Sequence, residues 1–481
     1  MLLKDLLQQI DYKILQGKLE QQVDEVIYDS RIKTKEGLFI AIKGYDKDGH
    51  QFIQAAIDNG VKTVILQDDY ALPQHITVIQ VEDTRKVMAQ VAKNYYQNPS
   101  EKLNVIGVTG TNGKTSITYL LGAILEHYAH KVGIIGTIEN RIGETVLQAQ
   151  RTTPEALELQ KLFAKMVAED VSECLMEVSS HALDLFRVEG TAFKVGIFTN
   201  LTQDHLDFHK TMDAYAKAKS KLFGQCEISV INKDSAYSEE MINAVTGKCI
   251  TYAIDQVADY HAKEIKIRAT GVDYVLETPE GAYAIEVPIP GKFTVYNTMA
   301  VIVTARALDI PMNIIQEALK KVKGVPGRVQ SFASKKGYSV LVDYAHTPDG
   351  LENVLETIKQ FVKGEVVTVF GCGGDRDNTK RPIMGEVAAR YSDHIIITSD
   401  NPRSEEPLSI LDQIEVGAKQ HTKPYQKIVD RKEAILKALS EAKKDDVILI
   451  AGKGHENYQI LHDQIIHFDD AEIVEAFIQG E

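Results

Sequence analysis

Three observations on the 481-residue chain predict an α/β fold built as three successive domains. The length suits about three separate cores. Short apolar runs alternate with helix-length amphipathic segments, the pattern of parallel sheets covered by helices. Polar clusters follow the apolar runs directly, at the strand ends where open α/β sheets bind ligands.

The first domain, residues 1–98, opens with apolar residues at 2, 3, 6, 7 and 10 broken by charge. That spacing predicts an amphipathic helix and neither a signal peptide nor a membrane span. Leu38–Ile42, Thr63–Leu66 and Ile76–Ile79 read as its strands, and Asn98-Pro99-Ser100 as the linker that closes this small α/β unit. The second domain, residues 99–331, carries Val105–Val108, Val132–Ile135, Cys174–Val178, Val195–Phe198 and Ile228–Ile231, which predict a parallel sheet with helices on both faces. In the third domain, residues 332–481, the strands are Tyr338–Asp343, Val366–Phe370, His394–Thr398 and Val447–Ala451.

A formal net charge of -14 argues against a nucleic-acid surface, because such binding is driven by clustered cations. Anionic ligands must therefore meet local basic groups. The four cysteines form no Cys-x-x-Cys pair, as expected of reduced thiols with neither disulfide nor zinc. A cytoplasmic protein without membrane or nucleic-acid partners, and a monomer, is the expectation.

Gly110-Thr111-Asn112-Gly113-Lys114-Thr115 follows the run ending at Val108 and precedes Ile117, Leu120, Leu121, Ile124 and Leu125 at helical spacing. Backbone N–H groups of such a loop close around phosphate oxygens at a helix N-terminus, with Ser116 in the first turn. Lys114 adds a cation toward the outer phosphates, and the Thr115 hydroxyl suits Mg²⁺. The common form of this loop has glycine where this chain has Val108. Glu177 ends another strand beside Ser179 and offers the acidic partner that a loop-bound Mg²⁺ needs. Asp204, His205, Asp207 and His209 follow a further strand and could serve a second metal ion.

Within Tyr215–Phe223, helical spacing puts Lys219 on the apolar face with Tyr215, Leu222 and Phe223. Two readings stand on spacing alone. A desolvated, neutral lysine can take up CO₂ as a carbamate and present oxygens to Mg²⁺. Alternatively, its stem snorkels with the ammonium in water. Asn297 offers an amide suited to an adenine edge. In the third domain Asp400-Asn401-Pro402-Arg403 ends a strand with an arginine fit for bidentate carboxylate capture. Gly452-Lys453-Gly454-His455-Glu456 at the next strand tip adds a carboxylate that could take an ammonium. Facing positive and negative groups suit a zwitterionic amino acid.

Together these motifs resemble the Mur ligase family of cytoplasmic peptidoglycan-precursor enzymes, over nearly the whole chain. The resemblance implies an N-terminal domain for a UDP moiety, a central P-loop ATPase and a C-terminal Rossmann-like domain that closes over the site. It implies ATP-dependent amide synthesis through an acyl phosphate, with ATP and two Mg²⁺ ions as cofactors. Glu177 and His205 fall at the family's magnesium ligands beside Thr115, and Lys219 on its carbamylated lysine. With Lys114 and His346 these residues form the implied catalytic set. Asn297, Arg328 and Asp343 are implied in nucleotide contact. Ser30, Thr152, Thr153, Ser179 and Arg187 are implied in holding a UDP-muramoyl-dipeptide. Arg376, Asp400, Asn401, Arg403, Gly452 and Glu456 match the amino-acid pocket of the branch adding meso-diaminopimelate; L-lysine is the alternative added amino acid. A folylpolyglutamate synthetase-type ligase would share the central and third domains without the N-terminal unit. A nucleotide-driven switch would have no use for the pocket at Arg403 and Glu456.

Overall fold

The structure, a computed structural model, describes residues 1–44, 47–268, 271–322, 324, 325 and 327–480, with the backbone alone for Asp207. Its N-terminal sheet has five strands in the order Lys13–Gln16, Thr77–Gln80, Val61–Leu66, Gly37–Ile40, Val26–Ile27. Three of its four pairings are parallel, and Lys13–Gln16 runs antiparallel to Thr77–Gln80. The expected opening helix is a single turn, Leu3–Leu6, which buries Leu3 and Leu6. The chain then turns away, with Gln9 in the left-handed region.

The central sheet has eleven strands, and its middle is parallel as predicted, in the order Cys226–Asn232, Phe193–Phe198, Asn104–Thr109, Glu173–Glu177, Val132–Ile135. Both margins depart from a purely parallel sheet. Glu139–Ile142 and Thr145–Gln148 form an antiparallel hairpin on one side, and Tyr260–Arg268, Gly271–Thr278 and Gly281–Val287 an antiparallel meander on the other. These strands alternate buried and exposed residues, so they lack the continuous apolar runs that mark parallel strands. The helix Lys114–His127 lies on one face of this sheet against Lys292–Ala307. Ile117, Leu120, Leu121, Ile124 and Leu125 are all buried there, each worth ~1.5–3 kcal/mol of apolar transfer. A second core, around Phe163, Met176 and Phe223, fills the opposite face.

The third sheet has six strands in the order Gln330–Ala333, Ser339–Asp343, Val447–Ala451, Val366–Phe370, His394–Ile397, Tyr425–Lys427. Gln330–Ala333 is its antiparallel edge. A separate two-stranded ribbon, Tyr458–Leu461 with Gln464–His467, follows the loop at residue 452. Contacts between the units include Tyr28 Oη donating to Glu158 Oε1 at 2.7 Å, and Asn112 Nδ2 to Asp349 Oδ2 at 2.8 Å. Among the described residues no helix is long and apolar enough to cross a membrane.

Candidate active site

The loop after Asn104–Thr109 closes because two glycines permit it. Gly110 has φ +148°, and a Cβ there would stand 1.8 Å from Thr199 Oγ1. Gly113 has φ +90° and lies against the Asn297 amide, whose Oδ1 would be 2.6 Å from an added Cβ. The loop backbone is pinned from the neighbouring strand end: Asn112 N donates to Asn200 Oδ1 at 2.9 Å, and Thr199 Oγ1 to Asn112 O at 2.6 Å. Lys114 opens the helix, and its Nζ donates to the carbonyls of Gly110 and Thr111, both at 2.8 Å.

Glu177, 1 % exposed at the end of the adjacent parallel strand, accepts from Thr115 Oγ1 at 3.0 Å. Thr137 adds its N–H at 2.9 Å and its hydroxyl at 3.1 Å, so the buried carboxylate is held in one orientation. Thr137 Oγ1 in turn meets Thr152 Oγ1 at 3.0 Å. Thr153 Oγ1 donates to the Glu177 carbonyl at 2.9 Å and accepts from Ser179 N at 3.0 Å. Arg187 pairs with Glu155 at 2.9 Å and donates to Thr153 O at 3.3 Å. Residues 152–155 are thereby tied to the strand that presents Glu177.

Lys219 resolves the open question of its side chain. It is 1 % exposed, on the helix Met212–Ser220, so its head is not carried out into bulk water but lines the cleft. Its Nζ donates to Gly110 O at 3.0 Å and stands 4.7 Å over the Tyr215 ring. Desolvation first, and the nearby Lys114 ammonium second, push its pKa well down. Lys114 is lowered as well, by burial, with Glu177 opposing. His205 is in the left-handed region, with its ring 4.8 Å from that of His181 and 6.2 Å from that of Tyr215. The side chain of Asp207 lies outside the described residues.

The third sheet supplies the opposite wall of a cleft of about 750 Å³. The cleft is lined by Thr111–Ser116, Thr152, Glu177, Ser179, His205, Lys219 and Asn297 on one side, and Arg328, Asp343 and His346 on the other. Arg328 lies over the Tyr344 ring at 4.7 Å. His346 stands exposed at the cleft, with its imidazole shifted below the ordinary range by desolvation first and the Lys380 cation second. Asp343, 6 % exposed, accepts from Val329 N at 2.7 Å, yet burial raises its pKa to about 6 against the opposing pull of Arg328. The folded state therefore holds a proton that the unfolded chain releases between about pH 4 and 6, and stability falls as pH rises through that window. Asp343→Asn, which mimics the neutral acid, should exceed the wild type by up to about 3 kcal/mol at pH 8 and by about half that at pH 5. Urea unfolding at the two pH values checks this; an unchanged gap would refute it.

A second cluster lies on the third sheet beyond that lining. Asn401 Nδ2 donates to Glu456 Oε2 at 2.8 Å, and Asn401 Oδ1 accepts from Ile460 N at 2.9 Å. Lys453, wholly buried, meets Glu456 Oε2 at 3.1 Å. Arg403, at φ +53°, donates to Gly374 O at 2.8 Å, and Gly452 N donates to Asp343 O at 3.0 Å. Asp400 Oδ1 accepts from Asn401 N at 2.6 Å. Arg376 is exposed, with its guanidinium on Asp375 O at 3.1 Å.

Residues 108–305 match the Mur ligase middle domain, 327–454 the Mur ligase glutamate ligase domain, and 22–96 the Mur ligase family catalytic domain. A Clostridioides difficile protein named UDP-N-acetylmuramoyl-L-alanyl-D-glutamate--2,6-diaminopimelate ligase is 50 % identical over 98 % of both chains. One of the same name from Caldanaerobacter subterraneus subsp. tengcongensis is 49 % identical over 99 % of both. The chain belongs to the Mur ligase family. A solved structure bearing that ligase's name superposes with a TM-score of 0.74 at 31 % identity, covering 100 % of this chain and 99 % of its own.

In this Mur ligase the cleft gathers most of the residues singled out for nucleotide and metal, together with Thr152 and Ser179. It does not take in Ser30, Thr153, Arg187 or the cluster of Arg376, Asp400, Asn401, Arg403, Gly452 and Glu456. Ser30 lies in the N-terminal domain, where its carbonyl accepts from Asn59 Nδ2 at 2.8 Å. Three residues escaped the sequence reading. Thr137, which fixes Glu177, follows the strand Val132–Ile135, so the strand-end rule could have flagged it. Lys453 read as part of a glycine bend, and Asp349 was not singled out; it lies in the first turn of the helix Pro348–Lys359.

Proposed function

We propose that this chain is an ATP-dependent amide ligase that joins meso-diaminopimelate to UDP-N-acetylmuramoyl-L-alanyl-D-glutamate. One observation carries the reading: Lys114, the Thr115–Glu177 pair and buried Lys219 share a cleft with Arg328, Asp343 and His346 of the third domain. Residues 1–98 would hold the UDP end through Ser30, 99–331 the ATP and dipeptide, and 332–481 the incoming amino acid.

A carboxylate resists attack by an amine because its leaving group would be oxide. Transfer of the ATP γ-phosphoryl group to the terminal D-glutamate carboxylate gives an acyl phosphate and ADP. The neutral amine then attacks the acyl carbon, a C–N bond forms, the nitrogen gives up a proton to the phosphate or to solvent, and inorganic phosphate leaves with the electron pair of the broken C–O bond. Lys114 and the N–H groups from Gly113 to Ser116 would hold the phosphates, and Asn297 and Arg328 the nucleoside end. The donor set of Thr115, Glu177, His205 and a carbamate on Lys219 fits Mg²⁺, since hard oxygens dominate and Glu177 is already oriented by Thr137. Bound there, the cations would offset the negative charge brought together by phosphates and carboxylate. Thr152, Thr153, Ser179 and Arg187 would position the dipeptide. Arg403 would take the distal carboxylate of the amino acid, and Glu456 with Asn401 its ammonium. The enzyme would act in the cytoplasm as a monomer.

Phosphate release from ATP should require both the UDP-muramoyl-dipeptide and an amino acid; basal release indifferent to either would refute a ligase. In direct competition meso-diaminopimelate should outrun L-lysine, and Arg403→Ala should shrink that preference by about 10- to 100-fold, the worth of one charge-assisted pair. Equal use of L-lysine by the wild type would overturn the assigned amino acid while leaving the ligase intact.

A further inference from the structure

The helix Pro348–Lys359 of the third domain reaches the phosphate loop with one carboxylate. Asp349 Oδ2 accepts from Asn112 Nδ2 at 2.8 Å and from Thr202 Oγ1 at 3.0 Å. The donors come from two loops of the central sheet that are already joined to each other. Asn112 is pinned by Asn200 and Thr199, as described, and Thr202 N donates to Thr111 Oγ1 at 3.0 Å. An amide and a hydroxyl on a fixed backbone thus converge on one oxygen. The acceptor is equally well placed, in the first turn of a 12-residue helix that starts at Pro348 and is capped by Thr347 Oγ1 on Gly350 N at 3.1 Å.

We propose that Asp349 is a positioning residue for the amide-forming step, a clasp that holds the third domain against the phosphate loop. The inference rests on the ligase reading above. In that scheme the activated acyl group is made on the central domain while the amine is carried by the third, so bond formation depends on how the two are docked. The clasp spans that joint with a charge-assisted pair of hydrogen bonds. The loop it grips is held independently by Asn200 and Thr199, so the clasp governs docking of the third domain rather than the shape of the nucleotide site.

Asp349→Ala should lower kcat for amide formation about 10- to 100-fold, the loss expected when a charged acceptor with two donors is removed. Acyl phosphate trapped by hydroxylamine should persist near the wild-type level, and the thermal melt should hold within a few degrees. Asp349→Asn keeps an oxygen at that place and should be intermediate. Thr202→Val should cost a few-fold in the wild type and nothing further in Asp349→Ala. Small-angle scattering of the ADP-loaded protein gives a readout free of the chemistry: Asp349→Ala should expand relative to wild type. Wild-type kcat in Asp349→Ala, equal loss of hydroxamate and amide, additive Thr202→Val, or unchanged scattering would each overturn the clasp. A wild type that compacts through Asp349 yet forms no amide would instead overturn the ligase reading.

Discussion

Lys114→Ala removes ATP-dependent phosphate release by about 10²–10³-fold or more, the scale of deleting one preorganised donor to a developing anion. The side chain is placed for this by its chain position: it is the first residue of the helix Lys114–His127, above a loop whose N–H groups share its direction. Its donors to Gly110 O and Thr111 O are contacts within the loop, so truncation leaves the apolar side of that helix untouched. The melt of the variant should therefore match the wild type while turnover collapses. Lys114→Arg should not restore activity, since a planar fork cannot occupy the site of a compact ammonium. Single-turnover phosphate release with dipeptide and amino acid present is the measurement; near-normal rates in Lys114→Ala would remove the phosphate loop from the reaction.

The parts of the fold and site that were legible in the sequence share a physical cause. Parallel strands buried on both faces must be continuous apolar runs, so Val105–Val108 and Val447–Ala451 stood out, and the polar residues just past them marked the strand ends. Lys219 was legible as an inward lysine from helical spacing, although only packing decides between a snorkelling head and a desolvated one. The antiparallel margins were not legible, because Thr145–Gln148 and Gly281–Val287 present half-exposed, mixed residues that read as loop. Thr137 and Asp349 were hidden for another reason: their roles come from partners 40 and 237 residues away, and a threonine or an aspartate in a turn carries no periodic signal. The separation of Arg403 and Glu456 from the cleft lining likewise depends on how the loops at 400 and 452 fold back on the third sheet.

Lys219→Ala should depress turnover to a similar degree, and its partial rescue by a small carboxylate distinguishes the proposed carbamate from a merely structural amine. The chemistry follows from burial. In water a lysine is protonated and inert toward CO₂, whereas Lys219 is enclosed beside Tyr215 and near the Lys114 cation, which together favour the neutral amine. The free amine adds to CO₂, a C–N bond forms and a proton is released, so a site that repelled a metal cation becomes one that attracts it. Stability should respond in the opposite sense from activity. An uncharged, shorter side chain removes the cost of desolvating an ammonium next to Lys114, so Lys219→Ala should lose less stability than an ordinary buried truncation of ~2–5 kcal/mol. Lys219→Met, which fills the volume without an amine, should be as stable as the wild type or more so and equally inactive. Formate or acetate should recover part of the activity of Lys219→Ala, where a space remains for the anion, and none of that of Lys219→Met. Growth of a carbamate carbon signal on adding ¹³C-bicarbonate to the wild type, absent in both variants, reads the modification directly. Full activity in bicarbonate-free buffer would return Lys219 to a packing role.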